Sequence, residues 1–176
     1  MKVVLRKYQD TDIPSMVKIW NHVVQEANAF PQIEQLSEEG AKILFDSQTF
    51  TGVAAVENQV LGLYILHPNN IGRCGHIANA SYAVSENYRG HHIGEKLVRH
   101  SMKVARESGF LLLQFNAVVS TNVGAIHLYE QMGFHRLGVI PQGYMLGDGS
   151  YENIIVYYIE LKSEHPLIDQ KWVSGN

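Results

Sequence analysis

Cysteine is almost absent from this chain of 176 residues: Cys74 stands alone, so no disulfide can close within it, and a reducing, cytoplasmic setting is expected. Long apolar runs are missing as well. No stretch approaches the ~18–20 residues that a membrane-spanning helix needs, so no membrane partner of that kind is expected. The opening, Met1 to Asp12, carries charge from Lys2 onward and lacks the apolar centre of a secretory signal. Charge of one sign is not in excess: 14 Lys and Arg stand against 17 Asp and Glu, a net charge of −3. A nucleic-acid partner would call for a basic surface, so none is expected. Repeats, low-complexity tracts and Gly/Ser/Pro-rich linkers are also lacking. One domain over 1–162 is the natural division, followed by a C-terminal tail, 163–176, where the apolar pattern breaks around Pro166. That tail reads equally as an ordered arm, a dimer contact or a frayed end.

With 45% hydrophobic and 18% charged residues, the composition is that of a folded domain. Val3–Leu5 is a short strand candidate. Asp10, Thr11 and Asp12 offer cap side chains ahead of Pro14. Ile13, Met16, Val17, Trp20, Val23 and Val24 then fall on one face of an amphipathic helix. Ser37, Glu38 and Glu39 open a second helix through about Asp46. Thr51–Val56 and Val60–Leu66 read as a hairpin, and Ile77–Val84 as a further strand. A helix from about Ile93 ends at Gly109. Phe110–Val119 has the length and continuity of a central strand buried on both faces. A helix capped by Thr121 or Asn122 runs to Gly133, and strands Phe134–Ile140 and Tyr151–Leu161 close the chain. The order β-α-α-β-β-β-α-β-α-β-β predicts an α/β (α+β) fold, a mixed sheet flanked by helices.

Two segments carry chemistry. Arg89-Gly90-His91-His92-Ile93-Gly94 joins a strand to a helix. Its glycines let successive backbone N–H groups face outward, the helix dipole adds positive potential, and Arg89 can reach a phosphate. Alone, such a turn is hard to tell from an ordinary strand–turn–helix corner. The second segment runs from Asn122 to Phe134. Asn122 can cap the helix, and Tyr129, seven residues on, lies two turns later on the same face. Nine histidines raise the question of a metal. His91 and His92 are adjacent and cannot both chelate from one face, and Cys74-x-His76 has no partner pair at zinc spacing, so no metal is expected.

Together the two segments resemble the GNAT superfamily of N-acetyltransferases. The acetyl-CoA signature of that family is Arg/Gln-x-x-Gly-x-Gly/Ala. Arg89, His92 and Gly94 occupy its fixed positions, with His92 in place of the first glycine and Gly90 as an extra one. A side chain at position 92 is accommodated if φ stays negative or if it points away from the phosphates. The downstream signature Asn-x-x-Ala-x-x-Leu-Tyr-x-x-x-Gly-Phe is matched in full, and the likeness runs from Val3 to Leu161. The resemblance implies the GNAT fold, with two parallel strands splayed apart, the one ending near Val84 and the one beginning near Phe110. It implies acetyl-CoA as co-substrate, seated on Arg89, Gly90, His91, His92, Ile93 and Gly94. Backbone groups of Ala83 and Val84 would hold the pantetheine arm and polarise the thioester. Asn122 would contact the pantetheine amide, and Tyr129 would protonate the departing thiolate, as suits a phenol with a pKa near ~10. For the proton of the attacking amine, His76, Glu86 and a water chain all stand open. A homodimer is expected by the same likeness.

A narrower likeness lies in His67-Pro-Asn-Asn-Ile-Gly-Arg73-Cys74-Gly-His76-Ile-Ala-Asn79-Ala, with Phe115-Asn116 and Thr121-Asn122. These are similar to fungal acetyltransferases that act on proline analogues such as azetidine-2-carboxylate. The likeness implies a small amino or imino acid as acceptor, with His76, Asn79 and Asn116 at the substrate. Asn116 also interrupts an apolar strand, where a buried amide needs partners. The Val-Ser-Thr-Asn…Leu-Tyr-Glu…Gly-Phe run resembles phosphinothricin and methionine sulfone acetyltransferases, of the same substrate class. The competing expectations are acetylation of a protein or peptide, and a non-catalytic acyl-CoA sensor.

Overall fold

Strand β1 (Val4–Lys7) pairs antiparallel with β2 (Phe50–Val56), so the two helices between them form an excursion from one edge of a sheet. In the computed structural model, which describes residues 2–161, helix α1 (Ile13–Glu26) carries Pro14 in its first turn. Its buried face is Ile13, Met16, Ile19, Trp20, Val23 and Val24; Ile19 takes the place expected of Val17, which is only partly covered. Helix α2 (Glu38–Asp46) starts at Ser37, whose hydroxyl accepts the Gly40 N–H at 3.1 Å, as the Ser-Glu-Glu run predicts. The expected tail, 163–176, lies outside the described residues.

Asp12 corrects one expectation. It stands at the N-cap of α1 but makes no capping bond. Its carboxylate is buried and accepts two bonds from Arg6, at 2.7 and 3.0 Å, and one from the Gln9 N–H at 2.8 Å. Burial pushes this carboxyl up, but Arg6 and the Gln9 amide outweigh it and hold the group below its ordinary value. A lowered folded-state value means that the stabilisation is present above the ordinary carboxylate range and is lost as pH falls through the folded value. Arg6→Leu strands the carboxylate and is expected to cost about 2–4 kcal/mol at neutral pH. In urea titrations the gap between variant and wild type should narrow below about pH 4, where Asp12 no longer needs its partner. A gap independent of pH would assign the loss to packing alone.

The remaining strands are β3 (Gln59–Pro68), β4 (Ile77–Val84), β5 (Leu112–Val119), β6 (His135–Met145) and β7 (Tyr151–Glu160). Helix α3 (Ile93–Glu107) joins β4 to β5, and α4 (Val123–Gln131) joins β5 to β6. One sheet of seven strands results, in the order β1-β2-β3-β4-β5-β7-β6; β4 and β5 are its parallel pair. Strand β3 lies deep within it, and its side chains alternate between two cores. Leu63 and Ile65 pack with Met16, Trp20 and Phe45 under α1 and α2, while Tyr64 and Leu66 pack with Leu97, Leu113 and Tyr157 on the α3 side. Burial on both faces is why β3 reads as a nearly unbroken apolar run.

Strand β6 runs five residues past the expected end at Ile140. Its pairing with β7 shifts between Ile140 and Tyr144, and Pro141, Gln142 (φ 53°) and Gly143 fill the irregularity. Proline has no N–H for a ladder and is tolerated in such a bulge. Gly143 is required there, since a Cβ would stand 2.4 Å from the Ile154 side chain. The bulge delivers Tyr144, whose hydroxyl donates to the Phe30 carbonyl at 2.6 Å and fastens the α1–α2 connection to the sheet.

Candidate active site

Strands β4 and β5 pair at only two positions, Ile77 with Leu112 and Ala78 with Leu113. Leu111 N–H to the His76 carbonyl, 2.9 Å, closes the joined end. Beyond Ala78 the strands diverge, so their facing backbone N–H and C=O groups open into a cleft and lack strand partners. A second irregularity widens the cleft. The β5–β7 register shifts between Phe115 and Val118, which bulges Asn116 and Ala117 outward. The expectation of a strand buried on both faces therefore fails at its middle: Leu113 and Phe115 are buried, while Asn116 and Ala117 are exposed. The resulting cavity measures about 840 Å³ and runs from the start of α3, past Tyr129, to Phe30 and Pro31.

At one end of the cavity lies the turn into α3. The first intrahelical bond is from Lys96 N–H to the His92 carbonyl, so the amides of Ile93, Gly94 and Glu95 precede the ladder and point out of the helix. Gly90 has φ 78° and His92 φ 58°, both left-handed. A negative φ at position 92 is thus not how its side chain is accommodated; the exposed imidazole instead turns toward Glu95, Nδ1 to Oε2 3.4 Å. Left-handed backbone disfavours every side chain but suits glycine, so His92→Gly is expected to raise stability by about 1 kcal/mol or less, with acetyl-CoA bound at least as tightly. A lower melting temperature would show that the imidazole contributes more than its backbone strain removes.

The other expected residues of the turn divide. Arg89, Gly90, His92, Ile93 and Gly94 line the cavity, as does Val84 at the end of β4. His91 is exposed and its ring bonds the Arg89 carbonyl at 3.0 Å. Ala83 is 2% exposed and packs toward α1, so only its backbone can serve the cleft. Arg89 is already engaged: both terminal nitrogens meet the Glu26 carboxylate, at 2.6 and 2.5 Å, and this contact holds Glu26 below its ordinary value.

Asn122 and Tyr129 also line the cavity. Asn122 caps α4 by accepting the Ala125 N–H at 3.3 Å. The Tyr129 ring packs against both members of the stacked Phe115–Phe134 pair, at 4.5 and 5.5 Å, and burial pushes its phenol well above the ordinary value. The group is therefore a proton donor over the whole physiological range.

At the far end a chain of amides crosses the fork. Asn79 Nδ2 and Asn116 Nδ2 both donate to Asn69 Oδ1, at 3.1 and 2.6 Å, and Gln114 Nε2 donates to Asn116 Oδ1 at 2.9 Å. Asn116 is thus an exposed amide in the bulge, and not the buried amide expected from its apolar neighbours. Asn69, the hub, was not singled out by the sequence, although it lies in the Pro-Asn stretch. Phe30 and Pro31 carried no signal at all. His76 is exposed and lies outside the cavity lining, at the joined end of the strands, and Glu86 lines a separate cavity of about 530 Å³ with His22. Among the described residues no group of three or more His, Cys, Asp or Glu could hold a metal ion, and no helix is long and apolar enough to cross a membrane.

The cleft thus combines a splayed parallel pair, a helix N-terminus and a half-buried tyrosine, and comparison with known proteins gives the family. Residues 14–134 match the acetyltransferase (GNAT) family, and the chain belongs to it. It is 33% identical over 108 residues to N-acetyltransferase aca1 of Schizosaccharomyces pombe, a match covering 61% of this chain and 52% of that protein. The chain thus spans about half the length of that relative. Among solved structures, a GCN5-related N-acetyltransferase from Kribbella flavida is 28% identical, with a TM-score of 0.83 over 90% of this chain and 97% of its own. The fold is shared with yncA from Salmonella typhimurium, solved with its cofactor acetyl-CoA: 17% identity, TM-score 0.86, 94% and 97% of the two chains.

Proposed function

We propose that the protein transfers the acetyl group of acetyl-CoA to the nitrogen of a small amino or imino acid, by direct attack with both substrates bound. The amide cluster at the far end of the cavity carries this reading. Amide N–H groups of Asn79 and Asn116 suit a carboxylate, and hydrogen bonds to a charged group are the stronger kind. The charge distribution argues in the same direction. Among the described residues, Arg89 and Glu95 are the only Asp, Glu, Lys or Arg side chains in the lining, and both stand at the α3 end. A polyamine or aminoglycoside, with several ammonium groups, would find no carboxylate at the acceptor end to pair with.

The residues of the cleft fit acetyl-CoA. The outward amides of Ile93, Gly94 and Glu95 suit a diphosphate, with Arg89 beside them. The open inner edge of β4, at Ala83 and Val84, offers the pantetheine arm the backbone partners that a neighbouring strand would otherwise give. Bound there, acetyl-CoA supplies the activated acyl group. Asn122 holds the arm, and Tyr129 delivers its phenolic proton to the thiolate sulfur as the carbon–sulfur bond breaks. His76 and Glu86 lie outside the lining, so of the three acceptors expected for the amine proton a water chain fits the cleft best.

The test is release of CoA thiol, followed with a colorimetric thiol reagent. Acetyl-CoA is offered with proline, azetidine-2-carboxylate, methionine sulfone, spermidine, an aminoglycoside and an alanine-led peptide. Turnover confined to the amino and imino acids is the expected result. Turnover on the peptide alone, or on the polycations, overturns the acceptor assignment and leaves the acetyl-CoA site standing.

A further inference from the structure

Among the described residues Arg89 is the only Lys or Arg in the cavity lining, yet its charge is not free. Glu26, the last residue of α1, lies 63 positions earlier in the chain and meets Arg89 fork to fork, Nη1 to Oε1 at 2.6 Å and Nη2 to Oε2 at 2.5 Å. Both carboxylate oxygens and both terminal nitrogens are used. Glu26 itself is outside the cavity lining. His22, one turn earlier on α1, stands near it, Nε2 to Oε1 3.8 Å, and bridges to Glu86 at 3.5 Å. The pair thus joins the end of α1 to the turn ahead of α3.

A guanidinium fork offers the same two-pronged geometry to a carboxylate and to a phosphate, and it cannot give that geometry to both at once. We propose that Glu26 sets cofactor affinity by competing with the acetyl-CoA diphosphate for Arg89, which passes from carboxylate to phosphate as the cofactor seats. The inference rests on the reading of residues 89–94 as the diphosphate seat. It adds a residue outside that motif, on a different element, whose charge opposes cofactor binding. The amides of Ile93, Gly94 and Glu95 hold the phosphate in either case. Glu26 determines how much of the Arg89 contribution appears as net affinity. The exchange also fits the degree of exposure: with Arg89 44% and Glu26 25% exposed, the pair is wet enough to open without stranding a buried charge.

The test is calorimetric titration of CoA into the wild type, Glu26→Gln, Arg89→Gln and the double variant, with pantetheine, which has no phosphates, as the control ligand. Glu26→Gln is expected to tighten CoA about 3–10-fold and to leave pantetheine unchanged, because the neutral amide no longer competes. Arg89→Gln is expected to weaken CoA about tenfold, and in its background Glu26→Gln should change nothing. Glu26→Ala serves as a second variant and should behave as Glu26→Gln; melting temperatures confirm that each is folded. Weaker or unchanged CoA binding in both Glu26 variants overturns the proposal and makes the pair a structural strut. An equal gain with and without Arg89 also overturns it, since Glu26 would then act as bulk negative charge. If Arg89→Gln alone leaves CoA affinity intact, Arg89 makes no phosphate contact and the proposal fails at that step, separately from the Glu26 result, with the amide seat of Ile93, Gly94 and Glu95 left standing.

Discussion

Replacing Tyr129 with phenylalanine is expected to lower kcat by about 10²–10⁴-fold while acetyl-CoA binds as before, the range typical of a lost general acid. The substitution removes one oxygen and keeps the ring, so its packing against Phe115 at 4.5 Å and Phe134 at 5.5 Å survives. Tyr129 lines the same cavity as the α3 turn and as Asn79 and Asn116, so its phenol can serve a thioester seated on that turn. Burial raises its proton affinity, which keeps the donor loaded. The sign has a second consequence. Because the phenol is pushed up, the alkaline side of the kcat profile should show no loss from Tyr129 deprotonation near the ordinary value of about 10. Stopped-flow or steady-state thiol release would read both. An unchanged kcat in the variant would mean that the thiolate departs without this proton.

The second large effect is expected at the amide cluster. Asn116→Ala and Asn79→Ala should each raise the acceptor KM by about 10–100-fold, corresponding to one hydrogen bond to a charged group, and leave the acetyl-CoA KM unchanged. Asn116 is well placed for a clean test. It sits exposed in the β5 bulge, so its truncation opens no core cavity. Asn116→Asp separates the chemistry further. A carboxylate there repels an acceptor carboxylate, so this variant should be worse than Ala on an amino or imino acid and no worse on a polycation. Equal kinetics for Ala, Asp and wild type would remove the cluster from the acceptor site.

Much of the fold is legible in the sequence, for identifiable reasons. Strand β4 is read at its full span, Ile77–Val84, because a Gly-rich loop precedes it and the glycine-bearing turn follows. Helix α1 is legible from its apolar period, and α2 from Ser37 and its glutamates. Strand β6 is not, since Pro141 reads as a strand end; only pairing with β7 allows the strand to resume at Tyr144. Asp12 reads as a cap because side chains that cap helices also suit buried ion pairs, and the choice depends on Arg6 in the neighbouring strand.

The site divides in the same way. The Arg89–Gly94 turn and the Asn122–Tyr129 pair are contiguous motifs, and they stand out in the sequence through the family resemblance that the two carry together. The amide cluster is partly visible, through the oddity of Asn116 in an apolar run. Its geometry is not, because Asn69 reaches Asn79 and Asn116 only through the β3–β4 register and the β5 bulge. Glu26 is invisible for a similar reason: nothing near Arg89 in the chain announces a partner at the end of α1. Motifs within one turn or helix are local facts, whereas these contacts belong to the folded sheet.

The most direct measurement is a mass spectrum of both the protein and the acceptor after mixing with acetyl-CoA and azetidine-2-carboxylate. Direct transfer within the cleft predicts N-acetylated azetidine-2-carboxylate and a protein of unchanged mass. An acetylated protein with the acceptor untouched, or an acceptor unmodified while an alanine-led peptide is acetylated under the same conditions, would contradict it.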